Sequence, residues 1–335
     1  MDNLDKIINQ YNKKSKGTIV KLVDCANQKV NRVSTGSFAL DVGLGGGIPY
    51  GSVVEYFGEE STGKSLEALK LICESQKEGR MSVYIDLEGS ITLEWAIKVG
   101  VDPKLLYIAR PKTAEEALQM VEDLAGSGDA GIIVVDSVAA LVPVVESEND
   151  IAKQQMGTAA KLMSKHLRGL TAILQPNDLS EQSDYNPCVV VYINQTREKI
   201  GVMYGSPLTT PGGKALKFYS SIRVHFKKGE VWRDKNKKII GQEIKFQTKK
   251  NKTHTPCQVG VFNFYYDGSI DNEESVVQYA IVYELIKQGG AWFYFGEEKF
   301  QGRDKLIEYL KTKPKVLTKL KADIKKIIRK WDNNG

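Results

Sequence analysis

A glycine-rich stretch with a lysine near its end is the segment of this chain whose chemistry is easiest to interpret. It follows a short run of β-branched and aromatic residues that ends at Phe57, and it opens a stretch with helical character. In such a setting, glycines let backbone N–H groups turn inward around a phosphate, and the helix N-terminus adds a partial positive charge. We therefore predict a nucleotide-phosphate site within one continuous segment. Its residues are Gly58, Glu59, Glu60, Ser61, Thr62, Gly63, Lys64 and Ser65.

Two side chains of this segment, with one acid from elsewhere, indicate that the nucleotide is bound as its Mg²⁺ complex. The segment has the pattern GxxxxGK[ST], in which Lys64 would bridge the β- and γ-phosphates and Ser65 would ligate Mg²⁺. The apolar run 131–135 ends in Asp136, which is a second Mg²⁺ partner either directly or through water. An acid at the end of a strand is common, so Asp136 is assigned to Mg²⁺ only because the glycine-rich segment is also present. The predicted cofactors are ATP and Mg²⁺.

Hydrolysis of ATP also needs a group that orients or deprotonates the attacking water. Asp86 and Glu88 lie just past another apolar run, 81–85. Ligands bind at the carboxyl ends of the strands in open parallel sheets, so both acids are expected near the phosphates. We assign the water-activating role to Glu88. The alternative is that Glu88 is a surface carboxylate in a turn.

Strand-like and helical segments alternate along the middle of the chain. The strand-like runs are short and rich in β-branched residues, and they lie at 53–57, 81–85, 131–135 and 188–193. Helical stretches lie between them at 65–78, 114–126 and 157–174. Continuously apolar strands separated by helices predict an α/β fold in which a mostly parallel central sheet is covered on both faces. We expect this core domain to span residues 31–270.

An N-terminal arm is predicted over residues 1–30. Residues 2–13 carry apolar side chains at helical spacing, and 17–22 read as a strand. These two elements have little core of their own, so the arm could pack on its own domain or on a neighbouring copy.

The last segment, 271–335, is predicted to form a small α+β domain. A helix is expected over 273–288, followed by a hairpin with its turn near Gly296. Two further helices are expected over 304–311 and 315–331, and the second carries an apolar stripe.

Charge and cysteine usage bound the function classes. The net charge is +6, and the segment from Lys299 to Asp332 alone carries twelve Lys or Arg against four Asp or Glu. Such clustering is typical of a surface that binds nucleic acid, although a solvated lysine-rich helix face would look the same. The four cysteines have no metal-ligand spacing. With no apolar run long enough to cross a membrane, we expect a cytoplasmic protein without a membrane partner.

Several further segments resemble one family. Beside Gly58–Ser65 and Asp86–Glu88, the matching segments are 134–141, 192–205 and 209–219, with shorter matches at 34–37, 156–157 and 250–252. With these residues, nearly the whole chain resembles the bacterial and phage RecA recombinases. The stretch Asn194–Tyr219 is the most specific part of the resemblance. The glycine-rich segment Gly58–Ser65, a phosphate-binding loop or P-loop, occurs by itself in many unrelated proteins. The resemblance implies a RecA-like P-loop ATPase core.

The resemblance also implies a function and several residue roles. It implies a DNA-dependent ATPase that forms a helical filament of its own copies on single-stranded DNA. That filament would pair with homologous double-stranded DNA and exchange strands during recombination and DNA repair. Glu88 matches the catalytic glutamate, and Lys250 and Lys252 match lysines that reach a neighbouring subunit's ATP. Gln195 matches the γ-phosphate sensor, and Trp95 stands where an aromatic residue lies against adenine.

Two DNA-binding loops follow from the same resemblance. One is Thr196–Gly213, which is too glycine-rich and polar to form core, and the other is roughly 146–156. Charged side chains would hold phosphates while apolar side chains contact bases, which holds a single strand without reading its sequence. An ordinary surface loop is the alternative for Thr196–Gly213. The residues assigned to DNA are Met156, Arg197, Lys199, Ile200, Gly212 and Gly213.

Two other functions are compatible with the P-loop. A hexameric helicase or related motor shares the ATPase core, but the Asn194–Tyr219 match argues against it. A non-catalytic regulator would be indicated by a damaged Lys64, Ser65, Asp136 or Glu88, and all four are intact. The segment 176–186 resembles an insertion, and a phage-encoded member of the family stays possible.

Overall fold

The computed structural model describes residues 3–14, 31–144, 157–175, 186–198 and 208–334. The first elements along the chain are α1 (Asn3–Lys14), β1 (Arg32–Val33), α2 (Phe38–Gly43), β2 (Ile48–Pro49), β3 (Val53–Gly58), α3 (Lys64–Lys77), β4 (Met81–Asp86), α4 (Leu93–Val99), β5 (Leu106–Ala109), α5 (Ala114–Ser127) and β6 (Ala130–Asp136). These are followed by α6 (Thr158–Ile173), β7 (Val189–Gln195), β8 (Arg197–Glu198), β9 (Leu208–Thr209), α7 (Ala215–Tyr219), β10 (Ile222–Arg233), β11 (Ile239–Asn251) and β12 (Val259–Tyr265). The last are α8 (Asn272–Val282), β13 (Lys287–Gly289), β14 (Trp292–Phe295), β15 (Glu298–Gln301), α9 (Arg303–Thr312) and α10 (Pro314–Asn334).

The central sheet has eight strands in the order β12-β11-β10-β3-β7-β6-β4-β5. The strands from β10 to β5 pair in parallel, while β11 and β12 extend the sheet antiparallel beyond β10. The predicted α/β fold with a mostly parallel sheet is confirmed. This order places the ends of β3, β7, β6 and β4 side by side at one edge of the sheet.

Alternation of side chains along the strands builds a separate apolar core on each face. Tyr56 and Tyr84 point to the face that α3 and α4 cover. Val83 and Ile85 point to the opposite face, which α5, α6 and α7 cover. Because both faces are buried, the parallel strands are apolar along their whole length, as the sequence predicted.

The C-terminal segment forms a third core with a three-stranded antiparallel sheet, β13-β14-β15. Its buried side chains contact Phe38 and Val42 of α2, so this small domain packs directly against the main one. Lys325 of α10 adds an ion pair with the buried Asp41, at an Nζ to Oδ2 distance of 3.1 Å. The turn near Gly296 and the last two helices agree with the predicted pattern.

One predicted element is wrong in its extent. The helix expected over 273–288 ends at Val282, since Glu284 adopts a left-handed backbone with φ of 58°. Lys287–Gly289 then form β13, whose backbone hydrogen bonds go to β14 rather than to a further helical turn. The helix predicted over residues 2–13 is confirmed by α1 from Asn3 onward. The strand expected at 17–22 and most of the insertion at 176–186 lie outside the described residues.

None of the helices in the described part of the chain combines the length and the apolarity needed to cross a membrane.

Candidate functional site

The glycine-rich segment lies between β3 and α3, in the strand–loop–helix setting expected from the sequence. Its glycines are required because neighbouring strands pass very close. A Cβ on Gly58 would lie 2.2 Å from the carbonyl oxygen of Phe226. Gly63 has φ of 88°, and a Cβ there would lie 2.3 Å from the Cδ1 atom of Ile244. A left-handed backbone is readily adopted only by glycine, so this loop shape depends on its sequence.

Lys64 is the first residue of α3, and its ammonium group lies within the loop. Its Nζ donates hydrogen bonds to the carbonyl oxygens of Gly58 at 3.1 Å and Glu59 at 2.6 Å. Burial lowers the pKa of Lys64, while the carboxylates of Asp136 and Glu88 oppose that shift. A buried ammonium group at a helix N-terminus is suited to bind an anionic phosphate chain.

Asp136 at the end of β6 accepts two hydrogen bonds on one oxygen. The Ser65 hydroxyl donates to Oδ2 at 2.7 Å, and the Tyr84 hydroxyl donates to the same atom at 2.5 Å. Burial raises the pKa of Asp136, while these two hydrogen bonds lower it. Burial and the adjacent carboxylate raise the pKa of Tyr84, so its hydroxyl keeps its proton. Tyr84 was not predicted as a site residue, since a tyrosine in an apolar strand has the same sequence signal as a core residue.

The donor set around Ser65 and Asp136 fits Mg²⁺. A hydroxyl and a carboxylate supply oxygen ligands, which this cation prefers. The two side chains are already within hydrogen-bonding distance of each other, beside the Lys64 ammonium group. A divalent cation held there would offset the cost of burying the Asp136 carboxylate.

Glu88 lies past the end of β4, and its side chain meets two residues from distant parts of the chain. The hydroxyl of Ser137, which follows Asp136 through a cis peptide bond, donates to Glu88 Oε1. Gln195 Nε2 donates to the same oxygen at 3.3 Å. Gln195 ends β7, where it pairs in register with Gly58. The structure therefore brings together the glycine-rich segment, Glu88 and Gln195, although these residues are far apart in the sequence.

Trp95 lies on α4 and is partly buried. Its ring makes an edge-to-face contact with Phe264, with ring centroids 6.2 Å apart, and Lys98 Nζ lies 6.0 Å from the indole. The role of Trp95 beside adenine stays a prediction. Asp86, the other acid after β4, is buried and paired with Arg110 at 3.1 Å, which gives it a structural partner.

The segment predicted to bind DNA, Thr196–Gly213, begins at the edge of the sheet where the glycine-rich segment lies. Its two ends are joined by β8 and β9, where Arg197 pairs with Thr209. Asn194 Nδ2 donates to the carbonyl oxygen of Pro211 at 3.1 Å, which ties the second end to β7. Gly212 and Gly213 have φ of 83° and 76°. Met156, Lys199 and Ile200 lie outside the described residues.

Comparisons with known proteins agree with this arrangement. The protein-family model of the RecA N-terminal domain matches residues 2–271, and the family model of the RecA C-terminal domain matches residues 274–329. The chain belongs to the RecA family. It is 40% identical to Protein RecA of Thermus aquaticus over 311 residues, which cover 92% of this chain and 89% of that protein. It is 41% identical to Protein RecA of Chloroherpeton thalassium over 312 residues, covering 92% and 85% of the two chains.

Membership of the RecA family supports a role in DNA recombination and repair that involves nucleotide binding. The resemblance identified from the sequence is thereby confirmed.

Lys250 and Lys252 lie away from the glycine-rich segment of their own chain. Lys250 pairs with Arg223 of β10. Phe226, three residues further along β10, is in register with Gly58. Lys250 is therefore displaced from Gly58 by roughly 10 Å along the strand direction. Lys250 Nζ donates to the carbonyl oxygens of Lys217 at 2.9 Å and Phe218 at 2.7 Å, near the end of α7. Phe218 itself is 68% exposed.

Proposed function

We propose that this protein is a DNA recombinase that forms a helical filament on single-stranded DNA in the presence of ATP and Mg²⁺. The filament pairs with homologous double-stranded DNA and exchanges strands, and DNA stimulates hydrolysis of ATP to ADP and phosphate. The position of Gln195 carries the proposal. Its side chain contacts Glu88, its backbone pairs with Gly58, and the next residue begins the segment Thr196–Gly213.

The nucleotide would be held by the segment Gly58–Ser65. Lys64 would contact the β- and γ-phosphates, and Ser65 and Asp136 would hold Mg²⁺, which neutralises charge that develops on the phosphoryl oxygens. Glu88 would orient the attacking water and accept its proton. Trp95 would lie against the adenine.

The ATPase site would be shared between subunits. Lys250, near the end of β11, and Lys252, just beyond that end, lie too far from their own glycine-rich segment to serve it, but a neighbouring copy could receive them. The exposed ring of Phe218 and the N-terminal arm 1–30 would join the same subunit contact. In a single chain Lys250 instead binds the carbonyl oxygens of Lys217 and Phe218, and these bonds would exchange for bonds to phosphate.

DNA would bind where Gly212 and Gly213 return the chain to the core. Arg197 and Lys199 would contact phosphates, while Ile200 and Met156 would contact bases. The core domain 31–270 would carry this site. The basic C-terminal domain 271–335 would capture duplex DNA. The protein would act in the cytoplasm.

Electron microscopy of the protein with single-stranded DNA and a slowly hydrolysed ATP analogue tests the proposal. Continuous helical filaments are expected, whereas discrete rings would indicate the helicase alternative. Nucleotide binding without ATP hydrolysis, both with and without single-stranded DNA, would support the non-catalytic regulator.

The Gln195→Ala variant tests the coupling itself. A side-chain amide can donate to a γ-phosphate oxygen and loses that partner after hydrolysis. We expect this variant to bind ATP normally through Lys64 and Ser65, while ATP no longer tightens its binding to DNA. The measurement is single-strand affinity with the ATP analogue and with ADP. A wild-type ratio of the two affinities would exclude Gln195 as the link.

A further inference from the structure

Tyr84 is a polar residue in the middle of the apolar core, and its hydroxyl reaches the predicted Mg²⁺ site. It lies on β4, next in the sheet to β6, and its side chain is 1% exposed. The ring belongs to the apolar cluster beneath α3. Its Oη atom lies 2.5 Å from Asp136 Oδ2. A buried tyrosine hydroxyl needs a partner, and here the partner is the carboxylate expected beside the metal.

The Ser65 and Tyr84 hydroxyls that donate to Asp136 Oδ2 are held in position in different ways. Ser65 lies at the start of α3 as the last residue of the glycine-rich segment, and its oxygen is itself the predicted Mg²⁺ ligand. Tyr84 is held by core packing around its ring. Rotation of the Asp136 carboxylate would break both hydrogen bonds. Partners of this kind orient a metal ligand, and they strongly affect metal affinity.

We propose that Tyr84 is a positioning residue of the Mg²⁺–nucleotide site, which holds the Asp136 carboxylate in the orientation that Mg²⁺ requires. The inference rests on the proposed nucleotide site. It goes beyond that site because it gives a role to a core residue that contacts neither nucleotide nor metal. The alternative is that Tyr84 only fills space in the core and its hydroxyl is satisfied by chance.

The chain offers a matched control in Tyr56. Tyr56 lies on β3 in the same apolar cluster and is 0% exposed. Within the described residues its hydroxyl has no hydrogen-bond partner, and so it does not bind Asp136. Tyr84→Phe and Tyr56→Phe each remove one buried hydroxyl and keep the ring. Only the first removes a bond to the predicted metal ligand.

The experiment is equilibrium binding of a fluorescent ATP analogue to the full-length protein during titration with MgCl₂, without DNA. For Tyr84→Phe we expect the Mg²⁺ concentration at half-saturation to rise by roughly tenfold. Nucleotide binding in EDTA should stay at the wild-type level, because Lys64 and the backbone amides do not depend on Tyr84. Tyr56→Phe should match the wild type in both conditions.

A second measurement distinguishes a weaker Mg²⁺ site from a general loss of stability in the variant. For each protein, the Tm in the presence of nucleotide is measured with and without Mg²⁺, and the increase caused by Mg²⁺ is taken. At a fixed Mg²⁺ concentration, this rise should be smaller for Tyr84→Phe than for the wild type or Tyr56→Phe.

Three results would overturn the inference. The first is an unchanged Mg²⁺ midpoint in Tyr84→Phe, and the second is an equal loss of affinity with and without Mg²⁺. The third is the same shift in Tyr56→Phe. In each case the wild type still shows Mg²⁺-dependent nucleotide binding, so the proposed function stands. If the wild type itself binds nucleotide without any response to Mg²⁺, the proposed site and this inference both fail.

Discussion

Glu67 lies inside the core beneath the glycine-rich segment, and its burial predicts a measurable effect on stability. It lies in the first turn of α3 and is 0% exposed. Burial raises the pKa of its carboxyl well above the ordinary value of 4.5, and the nearby Asp41 carboxylate raises it further. The hydroxyl of Thr35 and the ammonium group of Lys70 oppose this shift only in part.

The direction of the pH effect follows from this raised pKa. Above pH 4.5 the unfolded chain releases the Glu67 proton, whereas the folded protein keeps it up to a higher pH. Glu67 therefore lowers the free energy of unfolding as the pH rises between these two pKa values, by at most about 1.4 kcal/mol per pH unit. Below 4.5 the group is protonated in both states, and this contribution disappears.

The Glu67→Gln variant keeps the shape of the side chain and removes its ionisation. At pH 8 we expect it to be more stable than the wild type, by about 1.4 kcal/mol for each pH unit, up to that pH, by which burial raises the folded-state pKa of Glu67 above 4.5. The gain should shrink toward zero near pH 5. The assay is urea unfolding followed by circular dichroism from pH 5 to 8, at a protein concentration low enough to limit self-assembly.

A matched control is Glu94→Gln, since Glu94 is an exposed glutamate on α4. It should change stability by no more than about 0.5 kcal/mol, as is usual for a surface substitution. Other ionisable groups contribute equally to all three proteins and cancel in the differences. A stability gain for Glu67→Gln that is the same at pH 5 and pH 8 would refute the reasoning, because an ionisation cost must depend on pH.

Two further predictions concern contacts between molecules. If ATP sites are shared, Lys250→Ala protein and Glu88→Gln protein should each have little ATPase activity alone and regain turnover when mixed, because some interfaces then combine an intact lysine with an intact glutamate. No recovery in filaments shown to contain both proteins would indicate a site complete within one chain. Lys315 and Lys319 are exposed on α10. If both contact duplex phosphates, replacing them by Gln should reduce the slope of log affinity against log salt by up to about 1.8. An unchanged slope would mean that these lysines form only a solvated face.

Local sequence patterns determined the elements and the type of chemistry. The strand, loop and helix around Gly58–Ser65 were predictable because each depends on nearby residues, namely the apolar run, the glycines and the helical period. The same holds for the central strands, whose observed bounds differ from the predicted ones by a residue or two. The resemblance added roles for Gln195 and Lys250, which no local pattern indicates.

Tertiary structure alone decided which polar side chains meet. Glu88 and Gln195 are 107 residues apart, and Tyr84 and Asp136 are 52 apart. Their contacts arise because β4 lies beside β6 in one register and β7 lies between β3 and β6. Strand order depends on long-range packing, whereas periodicity reports only which side of one element is apolar. For the same reason α8 was predicted too long, since only the pairing of β13 with β14 removes its last residues from the helix.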